Sequence, residues 1–191
     1  LKLDMPVLQP DGSEKVVDIR TLPFVRFEDN EVHSNKGLYG INLGEGVNHV
    51  GPDARHPFVV RNTKIWNVHY ALRTQVPSLL VENLTIQTDY GIYHPNFDNH
   101  VYRNVTIRST HTEPFNRGHD DLSLQHGVLT VDGLTFDNCR SGGMPLIQIS
   151  DDNDTGRAVS HFRKVETANW KDNSKQKAIV NLGGGPRPQP Q

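Results

Sequence analysis

The segment "NRGHDDLSLQHG" holds the densest set of reactive side chains in the sequence: His119, Asp120, Asp121 and His126. A carboxylate or imidazole held beside a cation is what β-elimination or glycoside hydrolysis requires. One group takes a proton, and the other holds an acidic sugar. Asp121 or His126 is the candidate base. Arg73 is the candidate cation, because a guanidinium offers paired N–H groups to a carboxylate. Tyr93 and His94 are candidates to stack on the same ligand or donate to it. Trp66 and Arg108 form a second candidate pair, a ring for a sugar face and a cation for its carboxylate. The plain alternative stays open for each: solvated turn residues, an Asp that caps a strand, a Trp packed beneath a loop.

Ten histidines invite a metal reading, but imidazoles must be closely spaced or converge to hold zinc or copper. There is no HExxH and no Cys/His pair. The run "DDNDTG" has the look of the start of a calcium loop, with Asp151 and Asn153 as ligands and Gly156 at the turn. The closing Glu of such a loop is replaced by Phe162. The run admits a weak surface calcium site, and a plain acidic turn is the alternative. No other cofactor is expected.

These residues are positioned by a repeat. "VENLTI" and "YRNVTI" place Asn83 and Asn104 in the same phrase, and "VVRNTKI" places Asn62 in register before them. Asn30, Gly133 and Lys164 occupy the slot in weaker copies, giving intervals of 32, 21, 21, 29 and 31 residues. A second short apolar–polar alternation follows each copy: "GINLGEG", "YALRTQV", "YGIYHPN", "DLSLQHG", "PLIQISDD" and "AIVNLGGG". Period-two alternation is a strand signature. Each repeat thus predicts at least two short strands, and stacking repeats would bury a continuous core. Leu84, Ile86, Val105, Ile107, Leu134 and Phe136 are predicted to point inward. The Asn slot suits the left-handed backbone. Asn62, Asn83 and Asn104 are predicted to stack at one corner, turned inward and bonded to backbone. That orientation would remove "NLT" and "NVT" as sugar acceptors. A second polar row is expected at Asn35, Asn67, Thr88, Ser109, Asn138 and Asn169. An ordinary β-sandwich is the competing architecture.

The repeat resembles the pectate-lyase-like superfamily of right-handed parallel β-helices from about Phe24 to Leu182. Within it, "FEDNEVHSNKGLYGINL" is similar to the β-helix regions of G8-domain, fibrocystin-like and hyaluronan-binding proteins. The match is carried by Phe27, Asn30, His33, Ser34, Asn35, Gly37 and Gly40. The resemblance implies an all-β solenoid of about six rungs. It implies no single activity, since one scaffold hosts many functions.

Composition narrows the rest. A formal net charge of −2 announces no nucleic-acid partner. No apolar run reaches the length of a membrane span, so no membrane insertion is expected. The lone Cys139 excludes an internal disulfide and suits a core thiol. The ends "LKLDMP" and "GGGPRPQPQ" read as cuts in a longer protein. Residues 1–182 are expected to form one domain, with 183–191 as linker and flanking domains of the same chain as neighbours. The expected function is a carbohydrate-binding or carbohydrate-active module on an extracellular polysaccharide, a lyase or glycoside hydrolase if it is an enzyme. The alternatives are a non-catalytic spacer or adhesion segment of a large surface protein and, less favoured, a periplasmic metal-delivery module. The expected location is extracellular or in the cell envelope.

Overall fold

Strands form where the repeat places apolar side chains at every second position, and a left-handed residue breaks each long strand near its middle. The computed structural model describes residues 4–19, 27–35, 37–43, 52–93, 99–116, 127–139, 145–149, 159–170 and 179–182. They contain fifteen strands and no α-helix. An antiparallel hairpin pairs β1 (Asp4–Leu8) with β2 (Glu14–Asp18). All other pairings are parallel. The stretch "VSHFRKVETANWKDNSKQ", the one segment of the sequence that admits a helical reading, begins with the strand β14 (Val159–Ala168).

The first parallel sheet has seven strands: β3 (Phe27–Glu28), β4 (Glu31–His33), β6 (Phe58–Trp66), β8 (Ser78–Gln87), β10 (Asn99–Arg108), β12 (Val128–Asp137) and β14 (Val159–Ala168). The second has six: β5 (Tyr39–Leu43), β7 (Tyr70–Thr74), β9 (Tyr90–Tyr93), β11 (Phe115–Asn116), β13 (Ile147–Ile149) and β15 (Val180–Leu182). The chain alternates between them, one strand in each per repeat. In each sheet, therefore, every strand lies beside its counterpart from the next repeat.

The apolar inward positions of both sheets form one core. Leu84, Ile86, Val105, Ile107, Leu134 and Phe136 are all buried, as predicted. Ile65, Ile86, Ile107 and Phe136 lie in register across four strands. Cys139 is buried too, and its Sγ–H donates to the Ile107 carbonyl at 3.2 Å. Burial pushes its thiol up to about 11, which makes it an inert core group.

The slot residues Asn62, Asn83, Asn104, Gly133 and Lys164 all have positive φ, between 49° and 84°. In the first repeat the slot belongs to Asp29 (φ 57°) and not to the expected Asn30. The register explains the shift, because Glu28 pairs with Arg61 and leaves Asp29 opposite Asn62. The second row behaves alike. Asn67, Ser109, Asn138 and Asn169 are left-handed, whereas Ser34 takes the place expected for Asn35. Thr88 is not among the positive-φ residues.

The orientation of the Asn row corrects the sequence reading. Asn83 and Asn104 are exposed, and their amides bond to one another instead of to backbone. Asn104 Nδ2 donates to Asn83 Oδ1 at 2.7 Å, Asn83 Nδ2 to Asn62 Oδ1 at 2.8 Å, and Asn62 Nδ2 to Asp29 Oδ1 at 3.1 Å. A left-handed residue leaves its side chain outside the bend, so Asn83 and Asn104, the acceptor positions of "NLT" and "NVT", face solvent. Asn83→Ala is expected to cost about 1–3 kcal/mol, from two lost amide bonds and a strained left-handed alanine. Asn83→Gly should recover the backbone part of that loss. Urea midpoints of the two variants check this, and equal losses would refute the backbone share.

A column of alternating charge runs beside the Asn row: Glu28, Arg61, Glu82, Arg103, Asp132 and Arg163 lie in register. Arg61 reaches Glu28 at 2.5 Å and Glu82 at 2.7 Å, and Arg103 reaches Glu82 at 3.0 Å. The hydrogen bond from Arg61, then that from Arg103, holds the Glu82 carboxyl below its usual range against some burial. A depressed carboxyl stabilises the fold above its unfolded value. That contribution is lost as pH falls through the lower folded value. Glu82→Gln should therefore cost about 1 kcal/mol at neutral pH. The gap to the parent should close below about pH 4. Urea midpoints measured against pH test this. A gap that persists in acid would mean the carboxylate charge is not the cause.

Candidate functional site

The second sheet turns an unusual set of side chains outward. Tyr39, Tyr70 and Tyr90 lie in register on β5, β7 and β9. The next column contains Asn42, Arg73, Tyr93, the buried Asn116 and Gln148. Four of the five tyrosines thus share one face, and the fifth, Tyr102, is in the core. Each aromatic column begins a phrase of the form Tyr-(Gly/Ala)-(Ile/Leu): "YGI", "YAL", "YGI". The small second residue is needed because this edge of the sheet is crowded. A Cβ on Gly40 would lie 2.9 Å from the Ala71 carbonyl oxygen.

The rings pack closely. Tyr70 is 4.5 Å from Tyr90 and 5.1 Å from Tyr93, and Tyr39 is 5.8 Å from Tyr70. The Tyr70 hydroxyl donates to Glu113 Oε2 at 2.9 Å, and Asn116 Nδ2 donates to the same oxygen at 3.0 Å. Burial, then the bond to Glu113, keeps the Tyr70 phenol well above its usual range. It stays a neutral donor, fixed in place. Glu113 itself is held at φ 46°, a conformation with a cost for this residue type.

Arg73 sits at the edge of this face. Its guanidinium carbon is 5.4 Å from the Tyr39 ring centre, and Nη1 donates to Asn42 Oδ1 at 3.3 Å. Its Nε is buried with no hydrogen-bond partner among the described residues. Arg61, Arg103 and Arg108 each pair with a carboxylate, whereas Arg73 pairs with none among the described residues. A stranded donor on a planar cation is costly unless a ligand takes it.

The sequence placed Arg73 and Tyr93 on adjacent repeats, and they are register partners. Trp66 and Arg108 are not neighbours. Gln87 follows Trp66 in the column, and Arg108 is directed to Asp137 at 3.6 Å. Trp66 is 38% exposed, so it is not covered as a loop-packed ring would be. The fourth strand of the second sheet is also not "DLSLQHG". Phe115–Asn116 fills that place, because Phe115 supplies the inward apolar side chain opposite Ile92. Asn116 therefore follows Tyr93 in the column. Asp121, His126, His94, Asp151 and Asn153 lie outside the described residues, as do His119 and Asp120. Among the described residues no group of three or more His, Cys, Asp or Glu side chains is placed to hold a metal ion.

Sequence reasoning missed Tyr39, Tyr70, Tyr90 and Glu113. The first three were signalled by the Tyr-small-aliphatic phrase. Glu113 carried no signal, because its insertion hides the register. Comparison with protein-family models, curated proteins and solved structures finds no match for this chain. The resemblance to pectate-lyase-like proteins therefore rests on the quoted residues and on the parallel strands alone.

Proposed function

We propose that this chain is a stretch of right-handed parallel β-helix that binds an extracellular polysaccharide through the outward face of its second sheet. The observation that carries this reading is the packed tyrosine face with Arg73, which pairs with no carboxylate among the described residues, at its edge. Tyrosine rings offer flat apolar surface and fixed hydroxyl donors, which suit pyranose faces. The guanidinium would take the carboxylate of an acidic sugar in a two-pronged contact. Successive repeats lie about 4.8 Å apart, so the face would follow a polymer across several strands. In a catalytic version of this reading, a lyase or glycoside hydrolase, Arg73 holds the sugar acid and Asp121 or His126 takes the proton.

A spacer segment is the second reading. It is favoured by the alternating charges and amide ladder of the first sheet, which satisfy one another and leave little for a ligand. Titration calorimetry against polyuronates and neutral polysaccharides separates the two. Ultraviolet absorbance would report any unsaturated uronide formed. The expected result is binding to a polyuronate that Arg73→Ala weakens about tenfold, the value of one charged hydrogen bond. Failure of the unaltered chain to bind any polysaccharide would favour the spacer.

A further inference from the structure

The bend between the two sheets carries a groove of about 580 Å³ that the tyrosine face does not use. Trp66, Asn67, His69, Gln87, Asp89 and His111 contribute to its wall. The volume falls in the range of small-molecule sites. Three features fix its geometry. His33, from the preceding repeat, stacks on Trp66 at 4.4 Å with the rings 6° from parallel. The Trp66 indole Nε1–H donates to Glu31 Oε1 at 2.6 Å. The Asp89 carbonyl accepts from the backbone N–H of His111 at 3.0 Å and of Thr112 at 3.3 Å. The groove therefore presents a locked aromatic ring whose preceding-repeat side is covered by His33, while Gln87 and Asp89 follow on the next repeat.

Charge selects among ligands. No lysine or arginine lines the groove among its described residues, and Arg108, the nearest expected cation, is committed to Asp137. Asp89 lies in the wall, and Glu31 sits behind the indole. A carboxylated sugar would meet the Asp89 carboxylate, with His111 Nδ1 3.8 Å from it and no lysine or arginine among the described lining residues, so it is disfavoured. A neutral sugar meets a ring to stack on, amides of Asn67 and Gln87, and a carboxylate that accepts from two neighbouring hydroxyls.

We infer that this groove is a neutral-sugar subsite, with Trp66 as the stacking platform and Asp89 as the hydroxyl acceptor. The inference rests on the glycan reading above and adds to it a substrate class. His69 lines the groove and also packs at 5.2 Å on Tyr70 and 4.6 Å on Tyr90. It therefore joins the neutral subsite to the tyrosine face, where Arg73 takes the acidic unit.

Tryptophan emission tests this, because Trp66 and Trp170 are the only two tryptophans. The probes are neutral gluco-, xylo-, manno- and N-acetylglucosamine oligosaccharides, with oligogalacturonate as the acidic comparison. Calorimetry runs on the same samples. The expected result is an emission change with at least one neutral oligosaccharide that Trp66→Phe abolishes. Trp66→Ala and Asp89→Asn should each weaken calorimetric binding about tenfold. Neutral binding that survives Trp66→Ala overturns the inference. So does binding of oligogalacturonate alone, lost in Arg73→Ala, although that outcome keeps the proposed function. No binding to either class removes both.

Discussion

Gly91→Ala should destabilise the domain by about 3 kcal/mol or more and leave much of it insoluble. A methyl group built on Gly91 lies 1.8 Å from the Pro114 carbonyl oxygen and 2.6 Å from its carbon. Both are backbone, so no rotamer change can relieve the clash. Nor can the neighbouring strand retreat freely. The Pro114 carbonyl accepts from the Ile92 N–H at 3.1 Å, and the Gly91 N–H donates to the Glu113 carbonyl at 3.2 Å. Separating the strands would break both bonds and pull Glu113 away from Tyr70. Gly40→Ala is the control. It occupies the equivalent place two repeats earlier, where the closest backbone contact would be 2.9 Å, and its cost should be smaller. Urea midpoints of the two variants decide the matter. A Gly91→Ala protein as stable as the parent would mean that β9 and β11 are not in this register.

Phe136→Ala is expected to cost about 3–5 kcal/mol. Phe136 is among the largest fully buried side chains. It lies opposite Ile107 on one side and Thr167 on the other. Truncation leaves a void that the stiff sheet cannot close, since β12 is held by backbone bonds to β10 on one flank and β14 on the other. The loss should be cooperative across repeats if the core is continuous. Chemical denaturation should then show a lower midpoint with an unchanged slope. A split transition would instead mean that β12 and β14 unfold apart from the rest. Phe136→Leu keeps most of the volume and should lose far less.

The inward set was legible because alternation in "LTI", "VTI" and "LTF" specifies which side chains face the core. The left-handed slot was legible for the same reason. Asn, Gly and Lys occur there with an apolar or aromatic residue two places before, and Gly133 and Lys164 do adopt positive φ. What failed was position within weak copies. "FEDNEVHSN" offers two adjacent residues for each turn, Asp29 or Asn30 and Ser34 or Asn35, and only strand pairing chooses between them. The direction of the Asn amides could not be read either, because an amide ladder satisfies itself equally well inside or outside a bend. The site was half legible. Arg73 and Tyr93 stood out by type and register, but Tyr70 and Glu113 meet 43 residues apart in sequence across an insertion that masks the repeat.

The alternating charge column limits how this repeat can change in number. Glu28, Arg61, Glu82, Arg103, Asp132 and Arg163 alternate in sign without a break. Excising the one repeat that carries Glu82 would set Arg61 directly beside Arg103, and duplicating it would set Glu82 beside its own copy. Like charges opposed across strands are destabilising. Excising or copying two consecutive repeats keeps every neighbour opposite in sign. The column therefore works as a parity rule: this chain tolerates gain or loss of repeats in pairs, and an odd change demands a compensating charge reversal.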